Sequence, residues 1–179
     1  MTKRLLLSLT AMGCAVLFFT TCSKSDDPSL QNCENAIADI HYSGNLYPLK
    51  ILSSTLLRPS GNTGRFKLLS VEAYIDTVKV VLNVADVGYF TNDQLRQDSI
   101  GTRTYTYSRT AGSDTTGRVL IGVRRGQQYS FHTTDTASIH ITAVNPERRT
   151  VTGNYFFRTT APVITATGTF SEVCFLSIH

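Results

Sequence analysis

The side chains able to do acid–base or ligand chemistry are few and scattered. The four histidines are His41, His132, His140 and His179. His132-x-x-Asp135 followed by His140 places two imidazoles and a carboxylate in a short stretch, a set that could ligate a metal. The two histidines fall on separate expected strands, however, and His140 alternates away from Ile139 and Ile141. A solvent-facing or hydrogen-bonded strand histidine is the plainer reading. Nucleophilic chemistry finds no Gly-x-Ser-x-Gly elbow and no Ser-His-Asp arrangement. Glycoside hydrolysis needs two converging carboxylates. Glu72, Asp76, Asp86 and Asp93 supply the groups, but nothing in their spacing pairs them, and Glu172 beside Val173-Cys174 reads as a strand-face charge. Gly122-Val123-Arg124-Arg125-Gly126 lacks the Lys-Ser/Thr and the following helix of a phosphate loop. The expectation is a non-catalytic chain with no cofactor and no metal.

Aromatic residues offer a different chemistry. Tyr105 and Tyr107 share one face of an expected strand, as do Tyr129 and Phe131 on another. Tyrosine rings on an exposed sheet face could stack on sugar rings or hold a small apolar ligand, so Tyr105, Tyr107 and Tyr129 are candidate ligand-stacking residues. Core packing and cross-strand pairing are the alternative use of the same rings. Charge points to no polyanion. The formal +4 falls to +2 once Lys3 and Arg4 are removed with the N-terminal segment, and Arg124-Arg125 and Arg148-Arg149 are the only basic doublets. Nucleic acid is not an expected partner.

That N-terminal segment opens with Lys3 and Arg4 and continues as an uncharged run from Leu5 to Phe19. Its length and flanks are those of a secretory h-region, a little short for a membrane-spanning helix. It ends at Thr20-Thr21-Cys22, which resembles a bacterial lipoprotein signal. The resemblance implies lipidation of Cys22 and removal of residues 1–21. Cys14, after Ala11-Met12-Gly13, is the rival, but would leave Leu17-Phe18-Phe19 exposed on the mature chain. The residues that follow, Lys24, Ser25, Asp26 and Asp27, look like the acidic export tag of Bacteroidetes-type surface lipoproteins. They imply a lipid-anchored protein of the outer membrane facing the cell surface, or otherwise the periplasm. Multiple acyl chains on one cysteine make such attachment lasting, whereas one chain gives only marginal binding.

Two cysteines then remain, Cys33 and Cys174, near the two ends of the mature chain. An exported protein sits where disulfides persist. A bridge here would close a loop of about 140 residues, worth roughly 4–5 kcal/mol in the chain-entropy model.

The elements that must position these groups are mostly strands. The 179 residues, rich in Tyr and Phe and without Trp, suggest a single domain with a pleated core. After a polar tether at 22–32, turn signals recur every eight to twelve residues through a domain at 33–179. Expected strands are Asp39–Tyr42, Leu46–Ser53, Phe66–Ile75, Val78–Val84, Thr102–Tyr107, Val119–Val123, Gln128–His132, Ile139–Val144, Thr150–Phe157 and Ile164–Leu176, the last broken near Gly168. Asn145-Pro146 starts a hairpin turn, with Ile139, Ile141 and Ala143 on one face of the strand before it and Val151, Gly153, Tyr155 and Phe157 alternating after it. Thr91 with Gln94 three residues later is a capping-box signature for a short helix. The expected fold is all-β: an antiparallel β-sandwich or a lipocalin-like barrel of about 8–10 strands with one short helix.

The segments Ser138–Val144, Glu147, Thr152-Gly153-Asn154-Tyr155-Phe156 and Thr167-Gly168-Thr169-Phe170-Ser171, with Gly88-Tyr89-Phe90 earlier, resemble a family of uncharacterised Bacteroidetes-type lipoproteins with a β-rich domain. Asn154-Tyr155 departs from the Thr-Phe that the pattern usually carries there. The resemblance covers mainly the last third of the chain and implies a fold rather than an activity. The functional expectation is therefore a membrane-anchored binding module for a small molecule, glycan or partner protein. The alternative is a structural or accessory subunit of an outer-membrane complex.

Overall fold

A computed structural model describes residues 33–58, 65–89, 91–112 and 115–178. The expected signal peptide, Cys22 and the sorting residues Lys24, Ser25, Asp26 and Asp27 lie outside the described residues. Period-two burial marks the strands. In β3 (Phe66–Ile75) the buried positions are Lys67, Leu69, Val71 and Ala73, and in β4 (Val78–Val87) they are Val80, Leu82, Val84 and Asp86. Such alternation forms when one sheet face is covered and the other is solvated. The remaining strands are β1 (Ile37–Tyr42), β2 (Asn45–Leu57), β5 (Thr104–Ser108), β6 (Gly117–Arg125), β7 (Gln128–His132), β8 (Thr134–Asn145), β9 (Thr150–Thr159), β10 (Thr165–Cys174) and β11 (Leu176–Ile178). One short helix, α1 (Asn92–Arg96), follows β4, with the Thr91–Gln94 capping box formed in both directions.

The protein is all-β and mainly antiparallel. The strands order as β5-β8-β9-β10-β1-β2-β3-β4-β6-β7, and β11 adds in parallel to β2. Two meanders, β1–β4 and β8–β10, are joined where the first strand pairs with β10. β2 has a register shift between Ile51 and Ser53, and its two halves take different neighbours: β1 before the shift, β11 after it. A bulge of this kind turns a corner in a sheet. The far strands approach each other: Thr134 Oγ1 donates to the Val119 carbonyl of β6, and Tyr107 forms an isolated bridge with Thr115. The sheet nevertheless does not close into a barrel. The curled sheet is filled by one apolar cluster drawing on nine of its strands, with Ile40, Leu56, Val71, Ile121, Ile139, Phe157 and Phe170 among its most buried members. The barrel expected as one of two options is thus corrected to an open sheet around a packed core. Among the described residues no helix is long and apolar enough to cross a membrane.

Three local expectations change. The ladder runs unbroken through Gly168, which pairs with Tyr155, and the irregularity falls instead between Phe170 and Val173, where Glu172 adopts φ of 50°. A second bulge between Ile141 and Ala143 turns Ala143 to solvent while Ala137, Ile139 and Ile141 stay buried. The segment after Cys174 is a separate strand, β11, rather than the end of β10. The Cys33–Cys174 disulfide is formed, with Cα atoms 5.5 Å apart and 141 residues between the partners in sequence. It fastens the first described residue to the end of β10.

Candidate ligand cleft

Two charged residues occupy positions where the alternation calls for apolar ones. Lys67 is in phase with Leu69, Val71 and Ala73, and Asp86 is in phase with Val80, Leu82 and Val84. They are direct cross-strand partners in the β3–β4 hairpin, and both are buried, at 0% and 3% exposure. A charge taken out of water must find partners or lose its charge. Here both find partners in the connection from β4 to β5, residues 88–103, which carries α1. The Lys67 ammonium donates to the carbonyls of Gln97 at 2.9 Å and Ser99 at 2.7 Å, and lies 4.2 Å from the centre of the Tyr89 ring. The Asp86 carboxylate accepts from the Tyr89 hydroxyl, from the Gly101 amide at 2.7 Å and from Arg103 Nη2 at 2.6 Å. Arg103 also donates to the Val87 carbonyl and lies over the buried ring of Tyr105, whose hydroxyl donates to the Gly101 carbonyl.

A second charged knot holds the same connection from its other side. Asp98 pairs with Arg58 at 3.3 Å and Arg149 at 3.0 Å and accepts from the Ser177 hydroxyl at 2.6 Å. Arg58 also donates to the Arg96 carbonyl. Strands β3, β4 and β11, together with the ends of β2 and β9, therefore all anchor this loop.

Between the hairpin end and the loop lies an open cleft of about 360 Å³, lined by Asp86, Val87, Tyr89, Gln94, Gln97 and Arg103 among others. Arg103 keeps 49% of its side-chain surface exposed. Burial lowers the Lys67 pKa from 10.5 to about 8, with Arg58 lowering it further and Asp86 and Asp98 opposing the shift. Burial, then the hydrogen bond to Asp86, raises the Tyr89 hydroxyl. Burial also raises Tyr105. Both phenols stay protonated donors, and the cleft presents a fixed set of polar groups.

Of the groups weighed from sequence, Asp86 lines this cleft, whereas the candidate ligand-stacking tyrosines and the histidines are not among its lining residues. Tyr105 is 1% exposed and belongs to the core, so its ring is not open to a ligand. Tyr107 is partly buried on the same edge strand, with Arg118 at 5.2 Å from its ring centre. Tyr129 is on β7, where Lys79 lies 5.4 Å from its ring and its hydroxyl reaches the carbonyl of Ile75. The three rings form no common platform. His140 faces outward and shares a hydrogen bond with Thr104, while His132 sits on another strand. Among the described residues no group of three His, Cys, Asp or Glu could hold a metal ion. Glu72 pairs with Lys79, and Asp76, at the β3–β4 turn, lies near Arg124. The basic doublets have acidic partners as well, Arg148 with Glu172 and Arg149 with Asp98.

Comparison with known proteins adds no relative to this description: no family model matches the chain, and no curated protein or solved structure matches it.

Proposed function

We propose that this chain is a non-catalytic binding module, carried on a lipidated Cys22 at the outer membrane, whose ligand site is the cleft beside α1. The observation that carries this reading is Arg103, half exposed in the cleft yet held by Asp86, the Val87 carbonyl and the Tyr105 ring. A side chain fixed before binding loses little entropy on binding, which is how small polar sites gain affinity. The volume is at the lower end of small-ligand sites. The other polar groups are tied to backbone or to one another, an arrangement suited to holding a ligand rather than turning one over. The anchor reading draws on the lipoprotein-like Thr20-Thr21-Cys22 junction and the Lys24–Asp27 tag. Mass spectrometry of the chain purified from its own membranes tests both parts. A mature chain starting at an acylated Cys22, with a small adduct surviving under native conditions, is expected. An unacylated chain overturns the anchor, and a spectrum free of adduct overturns the binding site.

One observation favours a second reading, an accessory subunit of an outer-membrane complex. Ile178, Leu57 and Leu68 pair in a row across β11, β2 and β3, with Leu176 beside them, each 37–43% exposed. An apolar strip of this kind suits a protein partner. Under this reading a Leu57→Glu, Ile178→Glu variant loses a co-purifying partner and keeps the small-molecule adduct.

A further inference from the structure

A row of side chains crosses the outer face of the sheet away from the cleft. Tyr74 of β3 pairs with Lys79 of β4, Lys79 with Gly122 of β6, and Gly122 with Phe131 of β7. The row is out of phase with the buried Ala73, Val80 and Ile121 and so faces away from the core. Tyr129, two positions before Phe131, shares its face. Where the row meets β6 it carries a glycine, and the two β7 aromatic residues close over it. A Cβ at Gly122 would lie 3.1 Å from Phe131 Cε1 and 3.2 Å from Tyr129 Cβ. Phe131 therefore leans in over β6, yet it remains 49% exposed. Tyr129 is held at its far end: its hydroxyl reaches the carbonyls of Ile75 at 3.3 Å and Asp76 at 3.4 Å, and the Lys79 ammonium lies 5.4 Å from its ring centre. Rings placed before binding lose little entropy on binding.

The charges beside these rings are matched to one another. Lys79 pairs with Glu72, which also accepts from the Ser53 hydroxyl, and Arg124 stands 4.0 Å from Asp76, whose side chain is 92% exposed. An apolar protein surface laid here would strip water from these pairs and put no polar group in its place. Linked sugars offer hydroxyls to the pairs and C–H faces to the rings. The two pairs carry no net charge between them, which suits a ligand without charge. From Tyr74 to Phe131 the row spans three strand spacings, about 14 Å, the reach of a chain of sugars rather than of one.

We propose that this row is a docking surface for a neutral oligosaccharide chain, with Phe131 and Tyr129 as its stacking residues. It is a second site, separate from the cleft. The row crosses β4 at Lys79, whereas the cleft meets β4 at Val87, roughly 26 Å further along the strand.

The test is a binding isotherm of the full chain, in a zwitterionic detergent, on plates coated with neutral polysaccharides: β-glucan, xyloglucan, galactomannan and pullulan. Saturable binding to at least one is expected. Phe131→Ala and Tyr129→Ala should each weaken it by about tenfold, the loss of one stacked ring. Phe131→Tyr keeps the ring and should keep the binding, whereas Phe131→Leu keeps apolar bulk without a ring and should lose it as the alanine variant does. Val87→Trp fills the cleft and should leave the isotherm unchanged. Thermal melting checks the fold of each variant, and the exposed Phe131 series decides the matter if Tyr129→Ala melts early. Binding to none of the four polymers overturns the proposal. So does binding that survives Phe131→Ala or Phe131→Leu, and so does binding that Val87→Trp removes, which would place the sugar in the cleft.

Discussion

Lys67 and Asp86 show how much a pair of residues out of place can reveal. The turn that pairs Ile75 with Val78 fixes the register of the whole β3–β4 hairpin, and that register places Lys67 opposite Asp86. Both were therefore readable from the sequence as charges on the core face. No motif points to Lys67, and Asp86 stands out in the sequence only as one of four scattered carboxylates. Their partners were not readable, because backbone carbonyls at Gln97 and Ser99 and the amide of Gly101 carry no side-chain signature. The tyrosines failed in the opposite way: side-chain type suggested a platform, whereas burial of Tyr105 and the separation of Tyr129 on β7 depend on the curl of the sheet. Replacing Lys67 with Met keeps the bulk but leaves two carbonyls without their donor, and should lower stability by about 1–3 kcal/mol in urea unfolding at pH 7. The pH dependence carries a sign. With a folded pKa near 8 and an unfolded value near 10.5, the folded chain releases the Lys67 proton first. Stability of the wild type should therefore rise between pH 8 and about 10 relative to Lys67→Met. Beyond about pH 10 both should weaken, because Tyr89, Tyr105 and Tyr155 are raised in the fold and ionise more readily once unfolded. Parallel curves for the two proteins between pH 8 and 10 would refute the role given to Lys67.

The pairing of β9 with β10 explains the glycine–aromatic pattern that the last third of the chain displays. Tyr155 on β9 lies opposite Gly168 on β10, and Phe170 on β10 lies opposite Gly153 on β9. Each ring covers the glycine facing it. A Cβ at Gly153 would come within 2.3 Å of the His140 carbonyl and 2.6 Å of the Phe170 ring, and one at Gly168 within 2.3 Å of the Asp39 carbonyl and 2.4 Å of the Tyr155 ring. The Tyr155 hydroxyl continues across to the Asp39 carbonyl at 2.7 Å, and the Asp39 carboxylate accepts from both the amide and hydroxyl of Thr169. This cluster locks the joint between the two meanders. Gly153→Ala and Gly168→Ala should each lower the Tm, at a cost of about 1–3 kcal/mol or more, since backbone on one side leaves no room to yield. The hairpin and the capping box were legible because turn chemistry and capping are local. The bulges at Ile141–Ala143 and Phe170–Val173 were not, since an extra residue on one strand is defined only against its partner. β11 was hidden for a similar reason: a three-residue strand is made by the edge of β2 rather than by its own propensity.

At the scale of the molecule, the N-terminal end of the described chain is tied to β10 twice, by the β1–β10 ladder and by the Cys33–Cys174 bridge. Breaking the bridge in a Cys33→Ser, Cys174→Ser variant should cost roughly 4–5 kcal/mol on the chain-entropy account, read as a lower urea midpoint. The two cysteines were a natural pair once Cys14 and Cys22 were assigned to the leader and the anchor. That the sheet stays open could not be foreseen, because sandwich and barrel share alternation and similar strand numbers. The filled core leaves the loop-covered end, where buried charges hold α1 against the sheet, as the place where the fold presents prearranged polar groups. The central claim is that this cleft holds a ligand. It is tested most directly by native mass spectrometry of the wild-type chain beside a Val87→Trp variant, both purified from their own membranes, since Val87 lines the cleft and is 50% exposed. A small adduct on the wild type that the folded variant lacks is the predicted result. Adduct-free spectra from both proteins, or the same adduct on both, would contradict it.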